Sequence, residues 1–396
     1  MSPVLPPVDA APLYRLGDRG AAVAEIRARL ARVGLGPGSS LLGADGPRSE
    51  YDDAPFDHEV DAAVREFQQA NGLTADGVVG PQTWQLLDEA HWQLGDRVLT
   101  LVPGALLTGR DVAQLQARLF ELGFDAGRVD GVFGRQTDLA LREFQLNVGL
   151  SADGTCGPRS FKALGRLART VTGGAPHTLR EAEVLHRSGP ALAGKVIVID
   201  PGHGGRDRGR SGHGLEEAWL VEDVAARIEG RLAAVGVAAF LTRGRLAAGE
   251  DPPTELERAQ LANDALADLV VSLHADAHQT AQANGAATFY YGSGAWQSGV
   301  GAAFADLMLR EVVARTDLQP CGAHAKTWDL LRYTRMPAVR LELGYLSHRG
   351  DAARLSDPAF RDVVAEAVLA AVQRLYLPAG EDQPTGFIKV SDLVRV

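Results

Sequence analysis

The chain has 396 residues, more than one typical domain holds, so two or three domains are expected. Apolar residues make up 45% and charged residues 23%, the balance of a soluble globular protein with room for a sizeable core. The formal net charge of -10 argues against a nucleic-acid binder or attraction to anionic lipid, both of which need a basic face.

The opening run, Met1-Ser-Pro-Val-Leu-Pro-Pro-Val-Asp-Ala10, has neither the basic stretch nor the continuous apolar stretch of a secretory leader. No apolar run approaches the length of a membrane span. Cys156 and Cys321 fall in different predicted domains, so no disulfide framework is expected and a reducing cytoplasm is the simpler location.

An internal repeat organises the first half. Phe67-Gln-Gln-Ala-Asn-Gly-Leu-Thr-Ala-Asp-Gly-Val-Val-Gly-Pro-Gln-Thr-Trp84 matches Phe144-Gln-Leu-Asn-Val-Gly-Leu-Ser-Ala-Asp-Gly-Thr-Cys-Gly-Pro-Arg-Ser-Phe161 in step. Upstream, Val23-Ala-Glu-Ile-Arg-Ala-Arg-Leu30 matches Val112-Ala-Gln-Leu-Gln-Ala-Arg-Leu119. Each unit reads as three short helices, the first with apolar residues at helical spacing, as at Val112, Leu115 and Leu119. The Asp-Gly and Gly-Pro pairs are turn and helix-start chemistry. Repeat one spans 1–95 and repeat two 96–170, and repeat one carries a longer insertion between Gly36 and Asp53. The repeats closely resemble the peptidoglycan-binding domain carried by many cell-wall hydrolases. That resemblance implies a cleft for peptidoglycan stem peptides; the plainer reading is a pair of helical bundles used for protein contacts.

Residues 171–194 read as a connector, with loop chemistry in Thr172-Gly-Gly-Ala-Pro176 and one short helix at 179–186. Residues 195–377 then alternate. Strands are expected at 196–199, 237–241, 269–273, 285–291 and 338–343, and helices at 220–235, 254–266, 301–315 and 358–375. This rhythm predicts an α/β domain with a mostly parallel or mixed sheet covered by helices, with ligands gathered beyond the carboxyl ends of the strands. Residues 378–396, rich in Gly, Pro and Asp, read as a tail or docking peptide.

Metal-competent side chains sit at those strand ends. Val196-Ile-Val-Ile-Asp200 leads into Pro201-Gly-His-Gly-Gly205, which places His203 among residues small enough for close approach to the backbone. Leu269-Val-Val-Ser-Leu273 leads into His274. Either Glu216 or Glu217 is the intervening carboxylate, and the phase of the following helix favours Glu217. Glu342 shares one strand face with Arg340 and Gly344, so it is read either as a general base or as half of an ion pair with Arg340 or a lysine. Two imidazoles, one carboxylate and a spare carboxylate suit a hydrolytic zinc site, in which three protein ligands leave a position for water. His213, in Ser-Gly-His-Gly, and His324, in Cys-Gly-Ala-His-Ala-Lys326, are candidate substrate contacts, and each also fits an ordinary surface loop.

Asp200-Pro-Gly-His-Gly-Gly, Glu217, Leu241-Thr-Arg243, Arg258 with Ala262-Asn263, Ser272-Leu-His-Ala and Met336-Pro-Ala-Val through Glu342-Leu-Gly-Tyr resemble the zinc-dependent N-acetylmuramoyl-L-alanine amidases of the amidase-3 type. The resemblance covers roughly 195–377. It implies hydrolysis of the amide between the lactyl group of N-acetylmuramic acid and L-alanine in peptidoglycan fragments or muropeptides. It implies Zn2+ held by His203, Glu217 and His274, with Glu342 moving the proton and the 285–291 strand and Ser298 region lining the groove. The chain departs from the family's usual residues at Arg340, where an apolar side chain is usual, and at Arg210, Asp276 and Ser347-His348. Arg340 beside Glu342 would favour its ionised form and weaken it as a base; it is also a candidate substrate contact.

Two repeats followed by this domain resemble, over the whole chain, the actinobacterial CwlM group. That resemblance implies a second role for some members: a cytoplasmic, catalytically weak or silent protein that regulates peptidoglycan precursor synthesis, with a protein partner docked on the repeats or tail. Thr385, in Gln383-Pro-Thr-Gly-Phe387, would then be a phosphoacceptor. Export by another route would instead put the protein at the cell wall.

Overall fold

The computed structural model describes residues 13–36, 55–102, 104–167, 181, 185, 189–247, 249–293 and 296–377. The chain divides into two compact units, 1–177 with 293–296, and 178–292 with 297–396. The insertion of repeat one, most of the connector and the tail with Thr385 lie outside the described residues. Among the described residues no helix is long and apolar enough to cross a membrane.

The first unit is helical, as the repeat pattern predicts. Repeat one supplies α1 (Ala21–Arg32), α2 (His58–Ala70) and α3 (Pro81–Ala90); repeat two supplies α4 (Arg110–Glu121), α5 (Arg135–Asn147) and α6 (Pro158–Arg166). Helix α2 starts where the Asp57 side chain accepts from Val60 N, and α3 and α6 start on proline, whose missing N–H costs nothing in a first turn. Val23, Ile26, Leu30, Val60, Val64, Phe67 and Leu87 form a buried core in repeat one.

Among the described residues, a buried glutamine orders each Asp-Gly turn. Gln68 Nε2 donates to Asp76 Oδ1 at 2.9 Å and Val78 O at 2.9 Å, and its Oε1 accepts from Gly77 N at 2.9 Å. Gln145 does the same with Asp153, Thr155 O and Gly154 N. A third copy, which the repeat alignment passed over, lies in Asp130-Gly-Val-Phe-Gly134. There Gln116 bonds Asp130 at 2.9 Å, Val132 O at 3.0 Å and Gly131 N at 2.9 Å. A buried amide is tolerated only when its donors and acceptor are bonded, and these turns supply the partners. In repeat one the position aligned with Gln116 is Arg27, which bonds Pro55 O and Asp57 Oδ2, both at 2.9 Å.

From residue 196 on, the chain forms β1 (Val196–Pro201), β2 (Ser211–Gly212), β3 (Leu215–Glu216), α7 (Glu217–Ala234), β4 (Ala238–Leu241), α8 (Glu255–Asp264), β5 (Leu269–Asp276), β6 (Ala286–Ser293), β7 (Trp296–Gln297), α9 (Gly299–Arg315), β8 (Pro320–Lys326), α10 (Asp329–Tyr333), β9 (Ala338–Tyr345), α11 (Arg349–Ser356) and α12 (Pro358–Leu375). The main sheet runs β4-β1-β5-β9-β6-β7, with β8 also on β6. Pairings β1–β4, β1–β5, β5–β9 and β6–β8 are parallel, and β6–β9 is antiparallel. The mixed, mostly parallel sheet is the one expected.

One sheet face meets α7, α9 and α12 in the large core, through Val271, Leu273, Val339, Leu341 and Leu343 among others. Alternation puts Ser272, His274, Arg340 and Glu342 on the other face. Helix α8 begins with a capping box, in which Thr254 Oγ1 accepts from Glu257 N while Glu257 accepts from Thr254 N.

The β2–β3 hairpin, β7, β8, α10 and α11 were not anticipated. Strand β8, Pro-Cys-Gly-Ala-His-Ala-Lys, is half exposed and carries no alternating apolar pattern. At five and eight residues, α10 and α11 are too short to display a helical period.

Candidate metal centre

Strand β1 ends at a buried carboxylate, Asp200, which accepts from Thr242 Oγ1 and Ser272 Oγ, both at 2.6 Å. The chain then turns sharply through Gly202 to His203, whose φ of 57° lies in the left-handed region. Arg243, 5% exposed, holds this turn in place. It donates to Pro201 O at 3.0 Å, Gly202 O at 2.8 Å and Ala218 O at 3.2 Å, and pairs with Glu222 at 3.2 Å. One side chain thereby ties the His203 turn to the start of α7. A Cβ on Gly202 would fall 2.2 Å from His274 Cε1, so only glycine lets that ring pack against the turn.

Glu217 opens α7, where the partial positive charge of a helix N-terminus favours a carboxylate. Its Oε1 lies 3.2 Å from His203 Nε2 and 2.9 Å from His274 Nδ1 and accepts from Ala275 N at 3.1 Å. Its Oε2 accepts from Arg210 N at 2.7 Å. Ligand atoms of His203, Glu217 and His274 all lie within 4.8 Å of one another. Two imidazole nitrogens and a carboxylate oxygen, largely buried and convergent, suit a divalent metal ion. Asp207 Oδ2 sits 2.7 Å from His203 Nδ1, the carboxylate contact that commonly orients a metal-binding imidazole.

Charge within the group is divided unevenly. Burial works against ionisation of Glu217, yet the hydrogen bonds and charges of His203 and His274 prevail and hold its carboxyl below the usual range. Burial, reinforced by the positive charge of Arg340, pushes His274 down to about 4 and keeps it neutral. His203 moves the other way: burial favours its neutral form, but Glu217 and Asp207 outweigh it and raise its pKa.

Glu342 stands opposite His274 in the β5–β9 register and opposite Ala287 across β6. It is 8% exposed. Its Oε1 accepts from Arg340 Nε at 2.9 Å and Nη2 at 2.7 Å, and its Oε2 is buried without a hydrogen-bond partner. Burial raises the Glu342 pKa, and the opposing charge of Arg340 does not cancel the effect. The ion pair weighed from the sequence is thus formed. The Arg340 guanidinium also lies 4.4 Å from the centre of the Trp328 ring.

The remaining sequence candidates lie elsewhere. Glu216 turns away from the group to Arg208, at 2.7 Å. His213 is exposed in the turn of the β2–β3 hairpin, with a φ of 49°. His324 sits on β8, its Nε2 2.7 Å from Cys321 O and its ring 5.7 Å from Phe289. Ser298 does not line a groove: it is 1% exposed and caps α9, accepting from Gly301 N at 3.0 Å. Arg210 reaches Asp276 Oδ1 at 3.6 Å, Ser347 Oγ accepts from His278 N, and His348 caps α11. Asp207 and Trp328 were missed. A carboxylate four residues after a turn histidine was the available clue to the first; nothing local marks the second.

Together the fold and site define an α/β hydrolytic domain with a candidate metal centre, joined to two small helical repeats. The chain belongs to the N-acetylmuramoyl-L-alanine amidase family. The profile described as N-acetylmuramoyl-L-alanine amidase matches residues 197–374, and a peptidoglycan binding domain profile matches 19–87 and 108–164. The N-acetylmuramoyl-L-alanine amidase CwlM of Mycobacterium tuberculosis is 45% identical over 385 residues, covering 96% of this chain and 93% of that protein. The amidase LytC of Bacillus subtilis is 30% identical over 178 residues, 45% of this chain and 34% of LytC. Among solved structures, the amidase AmiC2 of Nostoc punctiforme aligns with 47% of this chain and 99% of its own, at 28% identity and a TM-score of 0.42.

Proposed function

We propose that this protein hydrolyses the amide between N-acetylmuramic acid and L-alanine in peptidoglycan or its fragments, with zinc as the metal. The observation that carries the reading is the convergence of His203, Glu217 and His274 within 4.8 Å, beside the unpaired Oε2 of Glu342. The three residues would hold the ion; when bound, zinc polarises a carbonyl and makes water acidic enough to attack near neutral pH. Asp207 fixes the His203 ring, and the backbone N–H groups of Arg210 and Ala275 fix the Glu217 carboxylate. Glu342 Oε2 takes the proton of the attacking water and returns it to the leaving amine, a role helped by a raised pKa. The repeats would retain the protein on peptidoglycan-derived ligands.

The test is release of stem peptide from purified muropeptides by the zinc-loaded protein, with Glu342→Ala alongside. Release by the wild type and none by the variant supports the assignment. No release by a wild type shown to hold zinc refutes it.

A second reading is a catalytically weak or silent cytoplasmic protein that binds precursors and regulates their synthesis, with Thr385 as a phosphoacceptor. It is favoured by Arg340, which occupies Glu342 Oε1 in the structure. Full-rate peptide release by the wild type would count against it.

A further inference from the structure

Beyond Glu342, the face of the sheet that carries the metal group continues into a band of cations and aromatic rings. Arg340 lies two residues back along β9, Phe289 is its cross-strand partner on β6, and His324 is the partner of Phe289 on β8. Lys326 follows on the same face of β8. Trp328 packs over the band: its ring centre is 4.8 Å from that of Phe289, 4.4 Å from the Arg340 guanidinium and 5.6 Å from Lys326 Nζ.

Two cationic nitrogens in this band, Arg340 Nη1 and Lys326 Nζ, hydrogen-bond no carboxylate among the described residues. Arg340 spends Nε and Nη2 on Glu342, but its Nη1 lies 3.8 Å from Glu255 Oε1. Lys326 pairs with no carboxylate among the described residues, and burial lowers its pKa. A half-buried ammonium and a guanidinium N–H held only by a long ion pair to Glu255, flanking one indole, make a binding place for a carboxylate, with the ring face to support the adjoining peptide.

We propose that Arg340, Trp328 and Lys326 form a subsite for a free carboxylate on the second residue of the stem peptide. The spacing fits. Arg340 is two strand residues from Glu342, roughly 7 Å along β9, and a carboxylate on the second residue is about as far from the scissile nitrogen in an extended peptide. The inference rests on the amidase reading and adds selectivity to it: the protein takes stem peptides with a free acid here over those with a carboxamide. It also gives the Arg340–Glu342 pair a purpose. A substrate carboxylate draws the guanidinium towards itself and releases Glu342 Oε1, so the correct ligand frees the proton carrier.

The experiment compares two synthetic muropeptides that differ only in a free carboxylate or a carboxamide on the second residue. Their binding to the full-length zinc-loaded protein is measured by calorimetry for the wild type, Arg340→Leu and Lys326→Met, with circular dichroism to establish folding. The wild type should bind the free acid at least tenfold more tightly. Arg340→Leu should bring the two affinities within about twofold by weakening the acid alone, and Lys326→Met, on the half-exposed β8, should reduce the preference partway. Equal affinities in the wild type, or a tenfold preference that survives in Arg340→Leu, overturn the proposal and leave the amidase reading standing. Binding of neither muropeptide overturns both.

Discussion

His274 and Glu342 face each other across neighbouring parallel strands, in register, on the sheet face turned away from the main core. One is held neutral by burial and the other is a buried carboxylate with one unbonded oxygen. Because β5 and β9 are locked by pairing on both sides, their separation is set by the sheet and not by a mobile loop.

That rigidity separates binding of the metal from movement of the proton. Glu342→Gln should retain zinc at the wild-type stoichiometry and lose roughly 10²- to 10⁴-fold in the rate of peptide release, the usual range for a general acid–base group. Zinc analysis with single-turnover kinetics checks both halves; loss of zinc in the variant would place Glu342 among the ligands.

Metal binding should be sensitive to acid. The raised pKa of His203 means that its proton competes with the ion. Affinity should fall as pH drops through that pKa, and binding near neutral pH should release protons. Calorimetry in two buffers of different ionisation enthalpy measures the number; zero at pH 6 would contradict the charge assignment. In the metal-free protein the His203 contribution to stability runs the opposite way, present at acid pH and lost as pH rises through the raised pKa.

Gly202→Ala should damage the centre without touching a ligand. The added methyl carbon would fall 2.2 Å from the His274 ring, so the ring or the turn must move. At least tenfold weaker zinc binding is expected, with a smaller change in thermal stability; unchanged affinity would show that the ring is free to shift.

Arg243→Leu removes four hydrogen bonds to backbone carbonyls, of Pro201, Gly202, Ala218 and Gly244, and leaves Glu222 without its buried partner. Breaking such a pair costs about 3 kcal/mol, read as a lower denaturation midpoint. Arg243→Lys should not restore it, since an ammonium cannot reproduce the planar fork.

In the helical unit, Gln116→Leu takes the partner from the buried Gly131 N and one donor each from Val132 O and Asp130, which keep Gly134 N and Val132 N. A buried N–H left unbonded, as Gly131 N would be, costs about 1–3 kcal/mol. Hydrogen exchange should show the amides of α4 and α5 losing protection while those of α7 and α12 keep theirs.

Much of the site was legible because its chemistry is concentrated at strand ends. Apolar runs ending at Asp200 and Leu273 announced β1 and β5, and the residue after each turn could be weighed directly. The phase of Ala218-Trp-Leu-Val favoured Glu217 over Glu216, and in the structure Glu216 pairs with Arg208 instead of joining the group. Alternation on β9 also disclosed that Arg340 and Glu342 share a face. What stayed hidden depends on chain crossings. Trp328 reaches Arg340 from an N-terminal cap on a five-residue helix, and Arg243 acts through the carbonyls of three residues far from it in sequence. Ser298 looked like a lining residue because it is polar and follows a strand, yet its hydroxyl is spent on capping. Gln116 was overlooked since one glutamine in a helix carries no mark of burial until its turn folds around it.

The substitution of Arg27 for Gln116 between the repeats has a further outcome. In repeat two the junction between helices is held by an uncharged amide, which bonds Val132 O and Gly131 N as well as the Asp130 carboxylate and so depends less on charge. In repeat one it is held by an ion pair between Arg27 and Asp57, only partly shielded from solvent, and exposed pairs of this kind are worth about 1 kcal/mol or less. Burial opposes ionisation of Asp57, but the Val60 amide and Arg27 depress its pKa, so this stabilisation holds above the ordinary aspartate range and fades as pH falls through the depressed value. Duplicated modules have here drifted apart in their environmental tolerance, and added salt, or acid below the ordinary aspartate range, would loosen one hand of the pair more than the other.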